Sequence, residues 1–497
     1  MKKIAHKVIN VLVSQWWATV FITVLASFVI ILFLGKGQDV WFDEGYSIIL
    51  AKKPLTELLQ LTGVDAHPPL FYVLLKAWGS MFGWSELSLR GMSAVLSAAT
   101  VGVIAVLLRQ LFSTRIALYM LPFIMLAPFW LRYGYEIRMY ALAGLIGALG
   151  TLLLVAALKN KKEKKWWIFY ALSVAAGMYT LYMTAVLWLA HFVWLLIYHR
   201  QKFWSQRWVW SYAAAAVLIL PYIPTIIFQL THSALPGVGW TLNLTHMWSV
   251  VSIILTYTPE WSVSSWTAAG IMLVALLTLY LIDRARREMS SEGKKSLSLL
   301  LCLAIVPISF FIIVSLPMSS PFFVPRYLAH VSLFIYTLIG IAIVLGWTYG
   351  YRKVALVLLA VALSLLSWGI YQLSQAGNFN FERMQKPQTL NIRQSIDCSS
   401  AVIIADDPYT FINDNYYFEG CNVLFYTKEP LKLQGGYAPL FGSKNEIKSS
   451  GELTSNEVVH IYWNYQPKSF NIDSRYQLVS TVTYDKQVAD TYQLISE

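Results

Sequence analysis

The sequence predicts a polytopic α-helical membrane protein of about eleven spans that ends in an extracytoplasmic α/β domain. Three observations carry that expectation. Of 497 residues, 57% are hydrophobic and only 13% charged, too apolar a composition for a soluble chain of this size. Apolar runs of spanning length recur up to Leu373 and none follows it. The charge divides at the same place: residues 1–374 hold 28 Lys and Arg against 12 Asp and Glu, whereas residues 375–497 hold 10 against 14. A membrane domain, 1–374, followed by a soluble domain, 375–497, accounts for all three observations, and a cytosolic globular enzyme is excluded.

A helix needs roughly 20 mostly apolar residues to cross a bilayer, and somewhat fewer when tightly packed. Spans are predicted at 13–35, 88–111, 116–132, 138–158, 166–181, 183–198, 208–228, 263–282, 297–317, 327–346 and 354–373. The first run is long and lacks a small-residue cleavage site, so it reads as a signal anchor. Lys2, Lys3 and Lys7 place the N-terminus in the cytoplasm, because Lys and Arg beside spans are retained on that side. Every second connection is then cytoplasmic, and together these segments carry 20 basic and 4 acidic residues. That excess of +16 equals the excess of the whole membrane domain, so the net charge of +12 reports topology and gives no reason to expect nucleic acid.

The same rule decides the segment 69–83, PLFYVLLKAWGSMFG. As a span it would turn Arg109 and Arg115 outward, so it is expected to be a juxtamembrane or re-entrant helix within one long outer segment, 36–87. An odd number of spans leaves the tail outside. There, AVIIADDP (401–408) and VVHIYWN (458–464) read as strands and GGYAP as a turn, which suggests a small α/β domain. Cys302 lies within a span. Cys398 and Cys421 both fall in the outer domain, where they form either a disulfide or two buried thiols.

Charged groups at or near membrane depth are costly, so each needs a partner or a task. They gather on the outer side. Trp41, Phe42, Asp43, Glu44, Gly45, Tyr46 and Ser47 put two adjacent carboxylates among aromatics, fit to bind a cation, orient a sugar or deprotonate a hydroxyl; they equally suit the start of a helix over 44–60. His67 precedes Pro68 and Pro69 at the start of the juxtamembrane helix, where it contacts a ligand or simply caps the helix. In the run Arg132, Tyr133, Gly134, Tyr135, Glu136, Ile137, Arg138, Met139, Tyr140, the Arg138 guanidinium offers a forked donor set suited to phosphate, and Glu136 is placed to hold it. A self-neutralising pair in an aromatic belt is the other reading. Arg326, between Pro325 and Tyr327, opens a later span, and Arg90 has Glu86 at i−4 as its local partner.

Anchoring at the interface explains each basic residue singly. It leaves open why Arg90, Arg138, Arg326, His67 and the acidic pair share one face of the membrane. A site joining a carboxylate to several cations fits an anionic lipid headgroup whose chain lies along the spans. Nucleotide sugars have no free pool outside the cell, so a polyprenyl phosphate carrier is the expected activated donor. Gly-x-Gly-x-x-Gly, Walker and metal-ligand spacings are absent, which removes support for ATP-driven transport.

Five stretches, taken in order, carry a resemblance: WFDEGYS at 41–47, HPPLFY at 67–72, SELSLRGMSAVLSA at 85–98, RYGYEIRMYAL at 132–142 and PRYL at 325–328. The chain resembles the bacterial relatives of the protein O-mannosyltransferases and of the lipid A aminoarabinose transferase, within the GT-C superfamily of polytopic glycosyltransferases. The resemblance covers the first 145 or so residues well and the later spans loosely. It implies inverting transfer of a monosaccharide from a polyprenyl-phosphate donor to a protein, lipid or cell-wall polymer acceptor on the outer face. It also implies that Asp43, with Glu44 beside it, is the catalytic base or positions the acceptor. His67 and Arg90 would contact the lipid phosphate. Arg138, held by Glu136, and Arg326 would add phosphate or sugar contacts, with Tyr133, Tyr140 and Tyr327 beside them. Where the family often continues Leu-Pro-Ser after the arginine, this chain has Gly91, Met92 and Ser93. Some relatives hold a divalent metal near the acids and others do not, and the resemblance leaves a metal near Asp43 and Glu44 open. A secondary transporter or flippase is the alternative; it calls for midplane charges and internal repeats, neither of which stands out in the sequence.

Overall fold

The computed structural model describes residues 10–36, 40–160, 162–232, 243–258, 263–317, 323–375, 392–394, 396–405, 407–427, 440, 445–464, 468–484 and 487–495. Lys2, Lys3, Lys7, Asp39 and the GGYAP turn lie outside them. Two compact units emerge, one of Met1–Lys36, Leu87–Ile223 and Gly237–Gln375, the other of Gly37–Glu86, Pro224–Pro236 and Ala376–Glu497. The first unit ends at Gln375, and residues 37–86 cluster with the tail.

Among the described residues nine helices are long and apolar enough to cross a membrane. They are α1 (Trp16–Gly35), α5 (Glu86–Leu111), α8 (Tyr140–Lys159), α10 (Tyr182–His199), α11 (Arg207–His232), α13 (Ser265–Glu288), α14 (Ser291–Ser315), α15 (Pro325–Thr348) and α16 (Arg352–Ser374). Their apolar residues are not all turned inward. On α1, Val20, Ile31 and Leu34 are buried while Trp17, Phe21 and Phe33 stay exposed, a face suited to hydrocarbon rather than water. No proline interrupts α5, so Gly91, Met92 and Ser93 continue it as regular helix.

The predicted span 116–132 is broken. Helices α6 (Thr114–Met125) and α7 (Pro128–Gly134) meet at 66° and make a tenth crossing if taken together. Pro122 weakens the end of α6 and Pro128 starts a new helix at its first turn, so the chain bends between them. The fifth predicted span, 166–181, is α9 (Lys165–Thr180), whose 16 residues reach only about 24 Å, and α12 (Leu244–Thr256) is another short apolar helix. Helix α15 lies at the centre of its unit, packed against α6, α8, α13, α14 and α16. Helices α8 to α11 share a buried polar cluster: the Tyr170 hydroxyl lies 3.1 Å from His191 Nδ1 and 2.9 Å from the Tyr212 hydroxyl, and Thr151 Oγ1 lies 3.0 Å from His191 Nε2. Close approach depends on small residues: a Cβ on Gly144 would meet the Trp130 ring at 2.2 Å.

The other unit begins with three short helices, α2 (Phe42–Lys52), α3 (Leu55–Val64) and α4 (Leu70–Phe82). Pro54, which donates no backbone N–H, divides what the sequence suggests as one helix over 44–60. Helix α4 covers the segment expected to be a juxtamembrane or re-entrant helix and, at 13 residues, is shorter than a span. The tail forms a six-stranded sheet from β1 (Ala401–Ala405), β2 (Asn422–Tyr426), β3 (Glu446–Ile447), β4 (Glu457–Trp463), β5 (Tyr476–Tyr484) and β6 (Gln487–Leu494), in the order β3-β2-β1-β4-β6-β5. Strands β1 to β4 pair in parallel, with Ile403 opposite both Val423 and Val459, whereas β6 runs antiparallel to β4 and β5. Helix α17 (Pro408–Tyr417) connects β1 to β2, capped by Asp407, whose Oδ1 accepts from the Tyr409 and Thr410 N–H groups at 2.9 and 3.0 Å. Cys398 and Cys421 are joined as a disulfide, with Cα atoms 4.5 Å apart, so the bond ties the approach to β1 to the approach to β2.

Candidate functional site

The acidic pair stands at the first turn of α2. Trp41 is extended at the N-cap (φ −88°, ψ 172°), and Asp43 and Glu44 follow within the helix. Glu44 turns back so that its Oε2 accepts the Trp41 N–H at 3.3 Å, and its side chain is buried. A carboxylate there satisfies one of the donors every helix start leaves over and complements the dipole. Asp43 is only half-buried. The two adjacent acids thus have different surroundings: Glu44 holds the helix end, and Asp43 is the more exposed residue. At the other end of α2, Lys76 of α4 donates to the Lys53 carbonyl at 2.8 Å. The Tyr46 and Tyr72 rings meet edge-on at 6.4 Å between the same two helices.

His67 lies just before α4, half-buried, with Nδ1 3.0 Å from Asp65 Oδ2. Asp65 is fully buried. A carboxylate on Nδ1 favours the tautomer with its proton there and directs Nε2 to the opposite side of the ring. The turn is tied from the C-terminal end of α11, where Gln229 Nε2 donates to the Thr62 carbonyl at 2.8 Å.

Arg90, Glu136, Arg138 and Tyr140 are buried in the membrane unit, and Tyr133 is half-buried. Arg90 projects from the first turns of α5 and its Nη1 donates to the Gly35 carbonyl at 2.7 Å, joining α5 to the end of α1. The Tyr135 ring lies 5.7 Å from the Arg90 guanidinium and 5.2 Å from that of Arg132, within cation–π reach of both. Glu136 forms an ion pair with Arg132 at 2.9 Å, and Arg132 Nε also donates to the Tyr257 hydroxyl at 2.9 Å. The Ser93 hydroxyl and the Arg138 N–H both donate to the Glu136 carbonyl, each at 2.7 Å. The Tyr133 and Tyr140 rings pack edge-on at 4.8 Å.

These contacts bring five of the expected site residues, Arg90, Tyr133, Glu136, Arg138 and Tyr140, into one neighbourhood built from the ends of α1, α5, α7 and α8. Arg326 and Tyr327 stand on the turn Pro325–Leu328, where the Arg326 guanidinium is 6.0 Å from the Tyr327 ring and that ring stacks on Phe311 at 6.4 Å. The sequence reading assigned no role to Arg132, Tyr135, Tyr257 or Asp65. Arg132 had a visible signal, its i,i+4 spacing to Glu136, and Asp65 had another in its closeness to His67. Tyr257 had none. Among the described residues no group of three or more His, Cys, Asp or Glu side chains converges as a metal site.

Residues 66–228 match the family described as dolichyl-phosphate-mannose-protein mannosyltransferase. No curated protein sequence matches the chain. Among solved structures, ArnT from Cupriavidus metallidurans in the apo state superimposes with a TM-score of 0.61 at 12% identity, over 96% of this chain and 98% of that one. The same enzyme bound to undecaprenyl phosphate gives 0.60 at 12% identity, over 95% and 98%. The Archaeoglobus fulgidus oligosaccharyltransferase, in complex with zinc and sulfate, gives 0.50 at 11% identity, over 88% and 67%. The class is therefore a polytopic helical membrane protein of the GT-C fold, with a small sheet domain at its C-terminal end. Within that class the chain resembles the protein mannosyltransferases and ArnT, as its five motifs lead one to expect.

Proposed function

We propose that the protein is a membrane glycosyltransferase that moves a monosaccharide from a polyprenyl-phosphate donor to an acceptor on the outer face of the membrane. The observation that carries this reading is the shared fold with an ArnT structure that holds undecaprenyl phosphate, over 95% of this chain. In support, three arginines, Arg90, Arg132 and Arg138, are buried in a unit whose helices suit a bilayer. The guanidinium offers a planar, forked donor set that matches the phosphate of a lipid headgroup.

In this reading the Asp43 carboxylate accepts the proton of the acceptor hydroxyl as its oxygen attacks the anomeric carbon. Attack opposite the phosphate inverts that carbon, and the bond to the phosphate oxygen breaks. Polyprenyl phosphate departs with the bonding electron pair, its charge stabilised by Arg90, Arg138, Arg326 and His67. A phosphate leaves readily, so no general acid is required. Glu44 acts by fixing the helix that carries Asp43, and Tyr133, Tyr140 and Tyr327 flank the cations. The N-terminus is assigned to the cytoplasm and the C-terminal domain to the outside, following the basic residues beside the spans.

The test is purified protein in lipid bilayers, supplied with undecaprenyl-phosphate-linked sugars and a cell-envelope fraction. Release of undecaprenyl phosphate together with sugar on a protein, lipid or polymer is expected. Movement of the intact lipid-linked sugar between leaflets without any transfer would overturn the reading in favour of a flippase.

A further inference from the structure

The helix proposed to carry the base, α2, is held along its length by α17 of the tail, and both lie in the same compact unit. Four contacts join them. The Val40 N–H donates to the Tyr417 hydroxyl at 2.8 Å. The Phe42 ring lies 4.4 Å from the Tyr409 ring. Gly45 lies so close to α17 that an added Cβ would stand 2.9 Å from Ile412 Cγ2 and 3.5 Å from the Ile412 carbonyl oxygen. Lys52 and Glu419 pair at 2.6 Å. These contacts run from just before α2 to its last residue, along about 16 Å of helix, so α17 and the residue after it bear on both the axial position and the tilt of α2. Asp43 lies in sequence between Phe42 and Gly45, which both approach α17.

Helix α17 is suited to act as a fixed reference. Its start is set by the Asp407 cap and Pro408, it packs on β1 and β2, and the Cys398–Cys421 disulfide closes the loop that contains it. From this geometry we propose that Ile412, Tyr409 and Tyr417 are positioning residues for Asp43, so the tail domain takes part in the transfer reaction by setting where its base stands. The inference rests on Asp43 being that base. It also explains why position 45 is glycine within a helix, where alanine would be the better helix former: the approach of Ile412 leaves no room for a methyl.

The test is a size exchange across the contact. Gly45→Ala improves the local helix propensity but pushes α2 away from α17, because Cγ2 is a branch near the Ile412 backbone rather than a flexible tip. The expected result is a fall in kcat of about tenfold with the donor KM unchanged. Ile412→Ala opens the space, so the double variant Gly45→Ala/Ile412→Ala should return to within about twofold of Ile412→Ala alone. As a second probe, Tyr417→Phe removes the acceptor for the Val40 N–H; faster hydrogen exchange over residues 40–45 and a lower kcat at unchanged KM are expected. Full kcat in Gly45→Ala, or a loss that Ile412→Ala fails to relieve, would overturn the inference, as would unchanged exchange in Tyr417→Phe. A wild-type protein that transfers no sugar would instead defeat the transferase reading, and this inference with it.

Discussion

The carboxylate of Glu136 and the guanidinium of Arg132 lie 2.9 Å apart in a buried ion pair beside the bend that breaks the predicted third span. Both side chains are within 5% of full burial. Breaking such a pair by removing one partner leaves a charge that neither water nor lipid solvates, at a cost of about 3–5 kcal/mol, whereas replacing both with apolar groups avoids that cost. Glu136→Leu alone should therefore lower the midpoint of thermal unfolding more than the double variant Arg132→Met/Glu136→Leu. A double variant as unstable as the sum of the singles would show that the pair is not coupled.

How much of this was legible beforehand depended on distance along the chain. The spans were readable because nearly every one is a continuous apolar run. The bend at Pro122 and Pro128 was not, since a proline within an apolar run is compatible with both a straight span and a broken one. Nor was the division of 44–60 at Pro54 anticipated, although that proline could have flagged it. The pairing of Glu136 with Arg132 follows the helical i,i+4 spacing, a signal present in the sequence. Contacts such as Gly45 with Ile412, or Arg132 with Tyr257, join residues that no local pattern relates. For the same reason the grouping of 37–86 with the tail could not be read from one sequence.

Asp65 should matter to the reaction through His67. Its Oδ2 lies 3.0 Å from His67 Nδ1 and the carboxylate is buried, so Asp65→Asn exchanges a charge-assisted hydrogen bond for a weaker one and loosens the choice of tautomer. With His67 as a phosphate contact, the affinity for undecaprenyl phosphate should fall about tenfold, equivalent to ~1.4 kcal/mol. Titration of the purified variant with that lipid would show it, and an unchanged Kd would remove Asp65 from the account.

Asp414 makes the tail domain sensitive to pH. It is fully buried on α17, and neither carboxylate oxygen has a hydrogen-bond partner among the described residues. Burial, and after it the nearby Asp407 carboxylate, push its carboxyl well above the ordinary carboxylate range. The folded form therefore binds a proton more tightly than the unfolded chain, where the pKa is about 3.9. This contribution is fully present below that value and is lost as pH rises through the folded pKa, at up to about 1.4 kcal/mol per pH unit. Thermal unfolding of the wild type followed between pH 5 and 8 should show stability falling with pH, and Asp414→Asn should flatten the slope and be the more stable protein at pH 8. An identical slope in the variant would contradict the assignment.

The central claim is that Asp43 is the base of a sugar transfer from a lipid phosphate, and one comparison bears on it most directly. Wild type and Asp43→Asn, each shown to bind undecaprenyl phosphate, would be assayed with an undecaprenyl-phosphate-linked sugar and the acceptor that the wild type modifies. The account predicts transfer by the wild type and a loss of about 10²–10⁴-fold in the variant, the usual worth of a positioned base, with lipid affinity unchanged. Equal rates of transfer in the two proteins would contradict it.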